Sequence, residues 1–245
     1  MQTFELIAPC HFGLEAVLKK EIYDLGYEIT KVEDGKVTFL GDAQAVCRAN
    51  VFLRTAERVL LKAGSFHAVT YDELFEGIRA LPWEVYLPKD AKFWVTKASS
   101  IKSKLFSPSD IQRIVKKAIV EKMKEYYDVE WFAETGAQYP IRVFLMKDEV
   151  IVTIDTTGDS LHKRGYRTMS GAAPISETLA AALIRLTPWH ADRILVDPFC
   201  GSGTFPIEAA MMAANIAPGM NREFTAQEWM NLIAKKTWYE TMDEA

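Results

Sequence analysis

One short segment, residues 197–204, restricts the possible folds of this chain more than any other. It reads Asp-Pro-Phe-Cys-Gly-Ser-Gly-Thr and lies between an apolar strand candidate, Arg193–Val196, and an Ala/Met-rich helix that begins near Phe205. Its two glycines remove Cβ atoms where a ligand would approach the backbone, and the helix that follows offers free N–H groups. A strand, a glycine-rich turn and a helix in this order predict the beginning of a nucleotide-type α/β domain.

Two common phosphate-binding turns are excluded by the residues that follow. A P-loop needs Gly-Lys-Ser/Thr, and no such tripeptide occurs here. A dinucleotide fingerprint needs a third glycine, but Gly203 is followed by Thr204, Phe205 and Pro206. A Gly-x-Gly turn taken alone is more often a plain connection between a strand and a helix. The turn therefore indicates either such a connection or a ligand site of another kind.

The first 65 residues follow the order strand, helix, strand, strand, helix, strand. Apolar residues at helical spacing predict a helix that ends at Gly26, and Asp34-Gly35 between apolar runs predicts a two-residue hairpin. A second helix is expected over about 43–53 and a final strand over Arg58–Leu61. This order predicts a small ferredoxin-like α+β unit.

A second α+β pattern occupies residues 66–156. We expect a helix over Tyr71–Ala80, a strand over Lys92–Ala98 and a long helix from Pro108 to about Tyr126, with Ser107 as its N-cap. A hairpin follows over 141–155. Residues 157–174 are rich in glycine, hydroxyl and charged side chains and are predicted to be a linker to the region that contains the glycine turn.

Charge is unevenly distributed along the chain. The total of 29 Lys+Arg against 33 Asp+Glu gives a formal net charge of −4, which taken whole disfavours a nucleic-acid binder. Residues 92–124, however, contain nine cations and only two acids, so this segment carries +7 and the remainder −11. A loop of serines and lysines, residues 99–104, precedes a helix N-terminus, and a second basic cluster with one aromatic covers residues 162–167. Both suit a solvated basic surface, but the asymmetry favours contact with an RNA or DNA backbone.

Cysteine and histidine usage excludes several other classes. The three cysteines and four histidines are scattered, so neither a disulfide framework nor a metal site is predicted. No apolar run approaches the roughly 20 residues that span a bilayer, and the first residues lack the pattern of a secretion signal. We therefore expect a cytoplasmic protein without membrane or metal. The oligomeric state is not predicted.

The eight residues 197–204 resemble motif I of class I S-adenosylmethionine (SAM)-dependent methyltransferases that modify exocyclic amino groups of nucleobases. Two upstream segments, Ser160–Arg167 and Ala173–Leu183, resemble the entry to the catalytic domain in the THUMP-domain RNA methylase family. That family includes large-subunit ribosomal RNA guanine N2-methyltransferases, and its members are often labelled N6-adenine-specific DNA methylases. The resemblance implies four regions along the chain: a ferredoxin-like unit (1–65), a THUMP RNA-binding domain (66–156), a linker (157–174) and the first part of an α/β, Rossmann-like methyltransferase domain (175–245).

The resemblance also implies roles for individual residues. The positions that match motif I and hold the methionine end of SAM are Asp197, Gly201, Ser202, Gly203 and Thr204. Pro174, Ser176 and Thr178 are expected near the same cofactor. The residues expected to contact structured RNA, with ribosomal RNA as the expected partner, are Lys102, Lys104, Arg113 and Lys117 of the THUMP domain and Lys163, Arg164 and Arg167 of the second basic cluster.

The function implied by this resemblance is SAM-dependent methylation of a nucleobase exocyclic amino group, with guanine in ribosomal RNA as the expected target. The catalytic motif of the family, an Asn- or Asp-Pro-Pro-aromatic tetrapeptide, occurs nowhere in the sequence, so no catalytic residue is assigned. We therefore expect the chain to be truncated within its catalytic domain and to be inactive by itself. Two alternatives stay open, a non-catalytic RNA-binding module and a DNA N6-adenine methyltransferase.

Overall fold

The computed structural model describes residues 2–167 and 174–245, which divide by their internal contacts into two compact units. Unit 1 contains the residues up to 59 together with 157–227 and 233–245. Unit 2 contains residues 60–156 and a short later segment, 228–232. The N-terminal α+β elements therefore share a unit with the region that contains the glycine turn, although about a hundred residues separate them in sequence.

The N-terminal elements of unit 1 are three antiparallel strands and two helices. In chain order they are β1 (Phe4–Pro9), α1 (Glu15–Asp24), β2 (Glu28–Glu33), β3 (Lys36–Gly41) and α2 (Ala43–Phe52). The central strand β3 pairs with both β1 and β2. The Asp34-Gly35 hairpin is confirmed, because Glu33 pairs with Lys36 across the turn. Leu6, Leu18 and Phe39 lie in the fully buried core beneath these strands.

Unit 2 consists of a four-stranded mixed sheet and three helices. Its elements are β4 (Leu60–His67), α3 (Tyr71–Arg79), α4 (Trp83–Tyr86), β5 (Lys92–Ile101), α5 (Pro108–Tyr127), β6 (Gln138–Met146) and β7 (Glu149–Asp155). The strands lie in the order β4-β7-β6-β5, in which only the β5–β6 pair is parallel. At the start of α5 the Ser107 hydroxyl accepts from the Asp110 N–H, which confirms the predicted N-cap.

The last strand of the predicted strand-helix-strand-strand-helix-strand order is present, with different bounds. It was predicted over Arg58–Leu61, whereas β4 begins at Leu60, continues to His67 and belongs to unit 2. β4 pairs with β7 from Leu60–Asp155 to His67–Glu149, and this pairing continues the strand beyond Leu61. Local apolar content indicates a strand but does not show which strand it will join.

The C-terminal part of unit 1 contains the helix predicted after the glycine turn, but it lacks the predicted strand. Its helices are α6 (Glu177–Arg185), α7 (Thr204–Ala213) and α8 (Lys235–Glu244). Residues 193–196 form a loop in which Ile194 is 91% exposed and Val196 77% exposed. Within residues 2–167 and 174–245 no strand pairs with this segment. An apolar run becomes a buried strand only when a neighbouring strand pairs with its backbone N–H and C=O groups. The prediction assumed that residues 193–196 would have such a neighbour.

The segment predicted to be a linker is packed wherever the structure describes it, residues 157–167. Thr157 and Leu161 are buried in unit 1. The Arg222 guanidinium donates to three backbone carbonyls of this segment, those of Asp159, Ser160 and Lys163. Polar composition suggested a tether, but these polar groups are paired within the unit. The remainder of the predicted linker, apart from Pro174, lies outside the described residues.

Candidate cofactor and RNA sites

The glycine turn ends at the N-terminus of α7 and has the backbone conformation that its sequence predicts. Gly201 and Gly203 have φ values of 53° and 77°, in the left-handed region that residues with a Cβ avoid. A Cβ on Gly203 would meet only Ile207 at an ordinary 3.6 Å, so conformation rather than space requires glycine there. No side chain caps α7 at Gly203. The turn therefore presents the amide end of a ten-residue helix without a side-chain acceptor.

A cavity of about 630 Å³ lies against this turn. Five of the residues predicted to bind a cofactor line it together: Pro174, Asp197, Gly201, Ser202 and Thr204. The rest of the wall is mainly apolar and includes Ile175 just before α6, Ile184 near the end of α6, Leu195 in the loop before the turn and Phe205 at the start of α7. The volume falls within the roughly 300–1,000 Å³ of small-molecule sites. The structure therefore forms one concave site from two segments that the sequence singled out separately.

Three of the residues expected near the cofactor lie beside the cavity without lining it. Gly203 is the N-cap of α7. Ser176 is the N-cap of α6, where its hydroxyl accepts from the Leu179 N–H at 3.4 Å. Thr178 is fully buried in the first turn of α6, and its hydroxyl donates to Glu57 Oε1 at 2.5 Å. These residues shape the helix ends that surround the cavity.

Arg167 lies at the cavity rim and joins α6 to the glycine turn. Its Nη2 donates to the Ile175 carbonyl at 3.0 Å and to the Thr204 hydroxyl at 2.7 Å. Its Nε lies 3.1 Å from Glu177 Oε1, which is 4% exposed. The Nη2 and Nε groups of this guanidinium therefore already bind three groups of the protein. An RNA contact at Arg167, as predicted, would have to compete with these three partners.

Arg164, the other arginine of the second basic cluster predicted to contact RNA, is buried. Its side chain is 1% exposed and lies inside unit 1 against the fully buried Glu208 of α7. A phosphate could reach it only if this ion pair were broken, which leaves a buried charge unpaired at a cost of several kcal/mol. Lys163 is the member of the cluster that does face solvent, where its Nζ lies 3.3 Å from Asp159.

The loop of serines and lysines over residues 99–104 of unit 2, called the lysine loop below, is exposed. Hydrogen bonds from backbone N–H groups fix its conformation. The N–H of Lys104 donates to Asp148 Oδ1 at 2.7 Å, and the N–H of Asp148 donates to the Ser103 hydroxyl at 3.0 Å. Lys102 has φ of 50°, so the chain turns sharply there. The side chains of Lys102 and Lys104 face solvent. The loop therefore holds two ammonium groups at a defined place on the surface.

The two helical cations predicted as RNA contacts are less free than those of the loop. Arg113 is exposed, but its Nη2 lies 3.0 Å from Asp110 Oδ1 one turn earlier. The Nζ of Lys117 lies 5.8 Å from the centre of the Phe75 ring on α3. Exposed pairs and cation–π contacts of this kind are weak, so both groups can still turn toward an anionic partner.

Phe106 is an aromatic residue that the sequence did not single out, and it lies two residues after Lys104. Phe106 is 80% exposed. It occupies the position before the α5 N-cap, where an apolar side chain often packs on the fourth helical residue, here Ile111. Ile111 is fully buried without it, so the ring remains in solvent. The signal in the sequence that could have identified Phe106 is its position directly before the N-cap of a helix. Two further apolar side chains nearby, Ile101 and Met146, pair in register at the ends of β5 and β6 and are half exposed as well.

Glu57 is a second residue that the sequence did not single out. Its carboxylate accepts hydrogen bonds from Thr178 and from Ser160, and both His11 and His162 lie within 3.4 Å of it. Burial alone raises the pKa of Glu57, but the hydrogen bonds from Thr178, Ser160 and His162 outweigh it and hold the pKa below its ordinary 4.5. Glu57 is therefore ionised at neutral pH among donors from three separate parts of unit 1.

Two further observations bear on the chemistry. In the part of the chain that the structure describes, no three His, Cys, Asp or Glu side chains come close enough to hold a metal ion. No helix there is long and apolar enough to cross a membrane. The arrangement that remains is an apolar cavity with a carboxylate and a helix N-terminus on unit 1, and a basic surface with an exposed aromatic on unit 2.

Three family models match this chain one after another. They are the RlmL ferredoxin-like domain over residues 5–60, the THUMP domain over 68–155 and the RMKL-like methyltransferase domain over 164–244. Their order is the predicted one, so the predicted fold class is confirmed.

Known proteins resemble the chain over nearly its whole length. It is 53% identical over 240 residues to "Putative RNA methyltransferase YpsC" of Bacillus subtilis (strain 168), covering 97% of this chain and 62% of that protein. It is 34% identical to "Ribosomal RNA large subunit methyltransferase K/L" of Cellvibrio japonicus (strain Ueda107), covering 93% of this chain and 31% of that protein. The chain thus spans less than two thirds of the length of either relative.

A solved structure gives the same result in three dimensions. The crystal structure of SMU.472, described as a putative methyltransferase complexed with SAH, superposes with a TM-score of 0.95 at 46% identity and covers 100% of this chain and 64% of that one. With these three domain models in series and relatives named as methyltransferases, this chain has the ferredoxin-like, THUMP and methyltransferase domains by which it resembles the THUMP-domain RNA methylase family.

Proposed function

We propose that this chain is the cofactor-holding and RNA-holding part of a SAM-dependent methyltransferase that acts on the exocyclic amino group of a nucleobase. The observation that carries the proposal is the cavity of about 630 Å³ at the glycine turn, in a chain that also has a THUMP domain. The related SMU.472 is complexed with SAH, the product form of such a cofactor, which supports SAM as the ligand of this chain.

The residues at the cavity fit the chemical groups of SAM. The uncapped N-terminus of α7 suits the carboxylate of its methionine part, because helix N–H groups and the helix dipole favour an anion. The half-buried carboxylate of Asp197, held by the Phe199 N–H at 3.1 Å, suits its ammonium group. Apolar side chains such as Ile175 and Leu195 suit its less polar remainder. When bound, SAM supplies a methyl group on a positively charged sulfur that a nitrogen can attack.

The contribution of this chain to the reaction is placement. Arg167 and Thr204 hold the glycine turn against the start of α6, so the groups that receive the cofactor are preorganised. Reactions of this type need no covalent intermediate with the protein, and their acceleration comes from orientation and from fixed dipoles. A base within a helix cannot present its amino group to such a site, so the target nucleotide must be unpaired or extruded.

RNA is the proposed partner of the surface on unit 2. Lys102 and Lys104 offer ammonium groups to phosphates, and the exposed ring of Phe106 offers a stacking face to an unpaired base. Arg113, Lys117 and Lys163 stay as proposed secondary contacts. A basic loop with one exposed aromatic is typical of recognition of single-stranded RNA segments within a structured molecule.

The choice of ribosomal RNA is supported by the name of the Cellvibrio japonicus relative, whereas guanine as the target base depends on the resemblance of the motifs alone. A cytoplasmic location is proposed because that is where such an RNA would be met. The expected inactivity of the 245-residue chain is likewise part of the proposal and depends only on the absence of the Asn/Asp-Pro-Pro-aromatic tetrapeptide from the sequence.

The test compares this chain with a version extended to the full length of the Bacillus subtilis relative. We expect both proteins to bind SAH in calorimetry and to bind a ribosomal RNA stem-loop, and the extended one to transfer labelled methyl groups to that RNA. RNA binding without SAH binding would favour the alternative of a non-catalytic RNA-binding module. Methylation of duplex DNA with no transfer to RNA would favour the DNA N6-adenine methyltransferase.

A further inference from the structure

Glu57, in the loop after α2, binds a residue in the first turn of α6, a helix that forms part of the cofactor cavity. We propose that Glu57 is a positioning residue for this cavity: through Thr178 it fixes the start of α6 and with it the wall made by Pro174 and Ile175. The inference depends on the proposed function, since it takes SAM or SAH as the occupant. It gives the ferredoxin-like segment a task in cofactor binding, which is separate from any contact with RNA.

Hydrogen bonds at both its N–H and its carbonyl fix the backbone of Glu57, and with it the position from which the side chain extends. The N–H of Glu57 donates to the Pro9 carbonyl at 2.8 Å, at the end of β1. Its carbonyl accepts from the Leu161 N–H at 2.9 Å and from the Ser160 hydroxyl at 3.1 Å. These bonds join three parts of unit 1 at one residue. A small displacement of Glu57 would therefore require several hydrogen bonds to move together.

The side chain of Glu57 uses both of its oxygens. Oε1 accepts from the Thr178 hydroxyl at 2.5 Å and lies 3.3 Å from His11 Nε2. Oε2 accepts from the Ser160 hydroxyl at 3.1 Å and lies 3.4 Å from His162 Nδ1. A hydrogen bond to an ionised acceptor is shorter and about twice as strong as one between neutral groups. The Thr178 bond is the strongest link between Glu57 and α6.

Thr178 links Glu57 to α6 and, through this helix, to the wall of the cavity. It is fully buried in the first turn of α6, two residues after the N-cap Ser176. The residues immediately before the cap, Pro174 and Ile175, line the cavity, and so does Ile184 near the other end of the helix. A rotation or shift of the first turn would move this wall relative to the glycine turn. Cofactor affinity should therefore depend on the Glu57–Thr178 bond although Glu57 itself does not line the cavity.

Arg167 fixes the same helix, α6, to a different part of the unit, the glycine turn. It binds the Ile175 carbonyl and Glu177 on one side and Thr204 on the other. Arg167 thus fixes α6 relative to the glycine turn, whereas Glu57 fixes α6 relative to the N-terminal segment. Removal of one anchor leaves the other in place, so substitution of Glu57 should loosen the wall without unfolding the unit.

The experiment measures SAH affinity by calorimetry for Glu57→Gln, Thr178→Val and the double variant, with Thr178→Ser as the conservative rescue. Glu33→Gln is the matched control, because Glu33 is a carboxylate of the same unit that pairs with Lys31 and Lys36 on β2 and β3. We expect each of the two single variants to weaken SAH binding by roughly threefold to thirtyfold, the range of indirect coupling effects. The double variant should be little weaker than either single one, and the serine variant should stay within about twofold of the wild type.

Two further measurements separate positioning from general stability. Urea unfolding gives the stability of every variant, and hydrogen exchange without ligand should show faster exchange over residues 177–185 in Glu57→Gln but not in Glu33→Gln. Wild-type SAH affinity in Glu57→Gln would overturn the inference, as would equal weakening by Thr178→Ser and Thr178→Val. If Glu57→Gln fails to fold, the valine–serine pair decides the question. A wild-type chain that binds no SAH would contradict the proposed function itself.

Discussion

The guanidinium of Arg164 and the carboxylate of Glu208 form a buried ion pair, with 3.4 Å between Nε and Oε1. Arg164 also donates to the carbonyls of Leu161 and Arg54, each at 2.5 Å. The Tyr166 hydroxyl donates to the same Glu208 oxygen at 2.9 Å, and burial followed by the charge of Glu208 raises the pKa of Tyr166, which keeps this donor protonated. The pair ties the 157–167 segment to α7, the helix that follows the glycine turn.

Replacement of Arg164 by alanine should destabilise the chain by about 3–5 kcal/mol, because Glu208 would keep a buried charge without its partner. Urea unfolding at pH 7 measures this free energy. Lys163→Ala is the control, since its pair with Asp159 is exposed and should contribute less than about 1 kcal/mol. Equal losses in the two variants would contradict the distinction between the packed and the exposed cation.

Alanine at Gly203 should lower both stability and SAH affinity. The left-handed φ of 77° costs a residue with a Cβ roughly 1–2 kcal/mol, and relief of that strain would displace the amides at the start of α7. Gly26→Ala is a matched control, because Gly26 has φ of 89° with nothing within 4 Å of a Cβ and follows α1 rather than the cavity. We expect similar unfolding free energies for both variants and weaker SAH binding only for Gly203→Ala, which calorimetry would test.

Reversal of the two loop charges should weaken RNA binding in a salt-dependent way. For Lys102→Glu with Lys104→Glu, the slope of log affinity against log salt should fall by roughly 0.7 to 0.9 for each phosphate that the protein no longer neutralises. Fluorescence anisotropy with a labelled RNA stem-loop at several salt concentrations gives this slope. Lys19→Glu with Lys20→Glu, on the exposed face of α1, changes the net charge by the same amount and should leave the slope nearly unchanged. The assignment of the lysine loop would fail if both double variants behaved alike.

Phe106→Ala should weaken RNA binding without changing the salt slope. Stacking of a base on an aromatic ring contributes about 1–3 kcal/mol and releases no counterions. The same anisotropy series separates this effect from that of the lysines. Trp131→Ala is the comparison, since Trp131 is also an exposed aromatic, at 75%, but lies in the loop after α5, whereas Phe106 lies two residues after Lys104. An unchanged affinity for Phe106→Ala would remove Phe106 from the proposed interface.

Glu57 should make the protein more sensitive to acid. Its pKa in the folded state lies below the ordinary 4.5, because the hydrogen bonds from Thr178, Ser160 and His162 outweigh the effect of burial. A lowered pKa stabilises the fold fully above about pH 4.5, and this contribution is lost as the pH falls through the folded-state value. Urea unfolding between pH 6 and pH 3 should therefore show a shallower loss of stability for Glu57→Gln than for the wild type. Parallel curves would contradict the lowered pKa.

Several features could be predicted because they depend on neighbours a few residues away. Ser107 caps α5, the Asp34-Gly35 turn closes a hairpin, and Gly201 and Gly203 take left-handed backbone conformations. Each of these is decided by local sterics or by a hydrogen bond within the same turn. The strand predicted over Arg193–Val196 shows the limit of this reasoning, because an apolar run becomes a strand only beside another strand.

The segment 228–232 shows how little sequence patterns reveal about long-range packing. It belongs to unit 2 although residues on both sides of it belong to unit 1. Trp229 stacks on Tyr139 with 4.9 Å between ring centres and donates its Nε1–H to the Gln138 carbonyl at 2.7 Å. Asn231 bonds the Tyr139 hydroxyl and the Tyr86 carbonyl. These partners are about 90 to 145 residues away in sequence, so no periodicity connects them.

The sequence by itself determined most of the elements before residue 157, the glycine turn, the uneven charge and the family to which these motifs point. Tertiary structure alone decided that Arg164 and Arg167 bind protein groups, that Phe106 faces solvent and that Glu57 meets Thr178. The physical reason is that conformational preferences act over a few residues, whereas burial and pairing of a charge depend on which distant segments fold against it. The sequence shows where the cationic residues are, and only the fold shows which anionic group each of them pairs with.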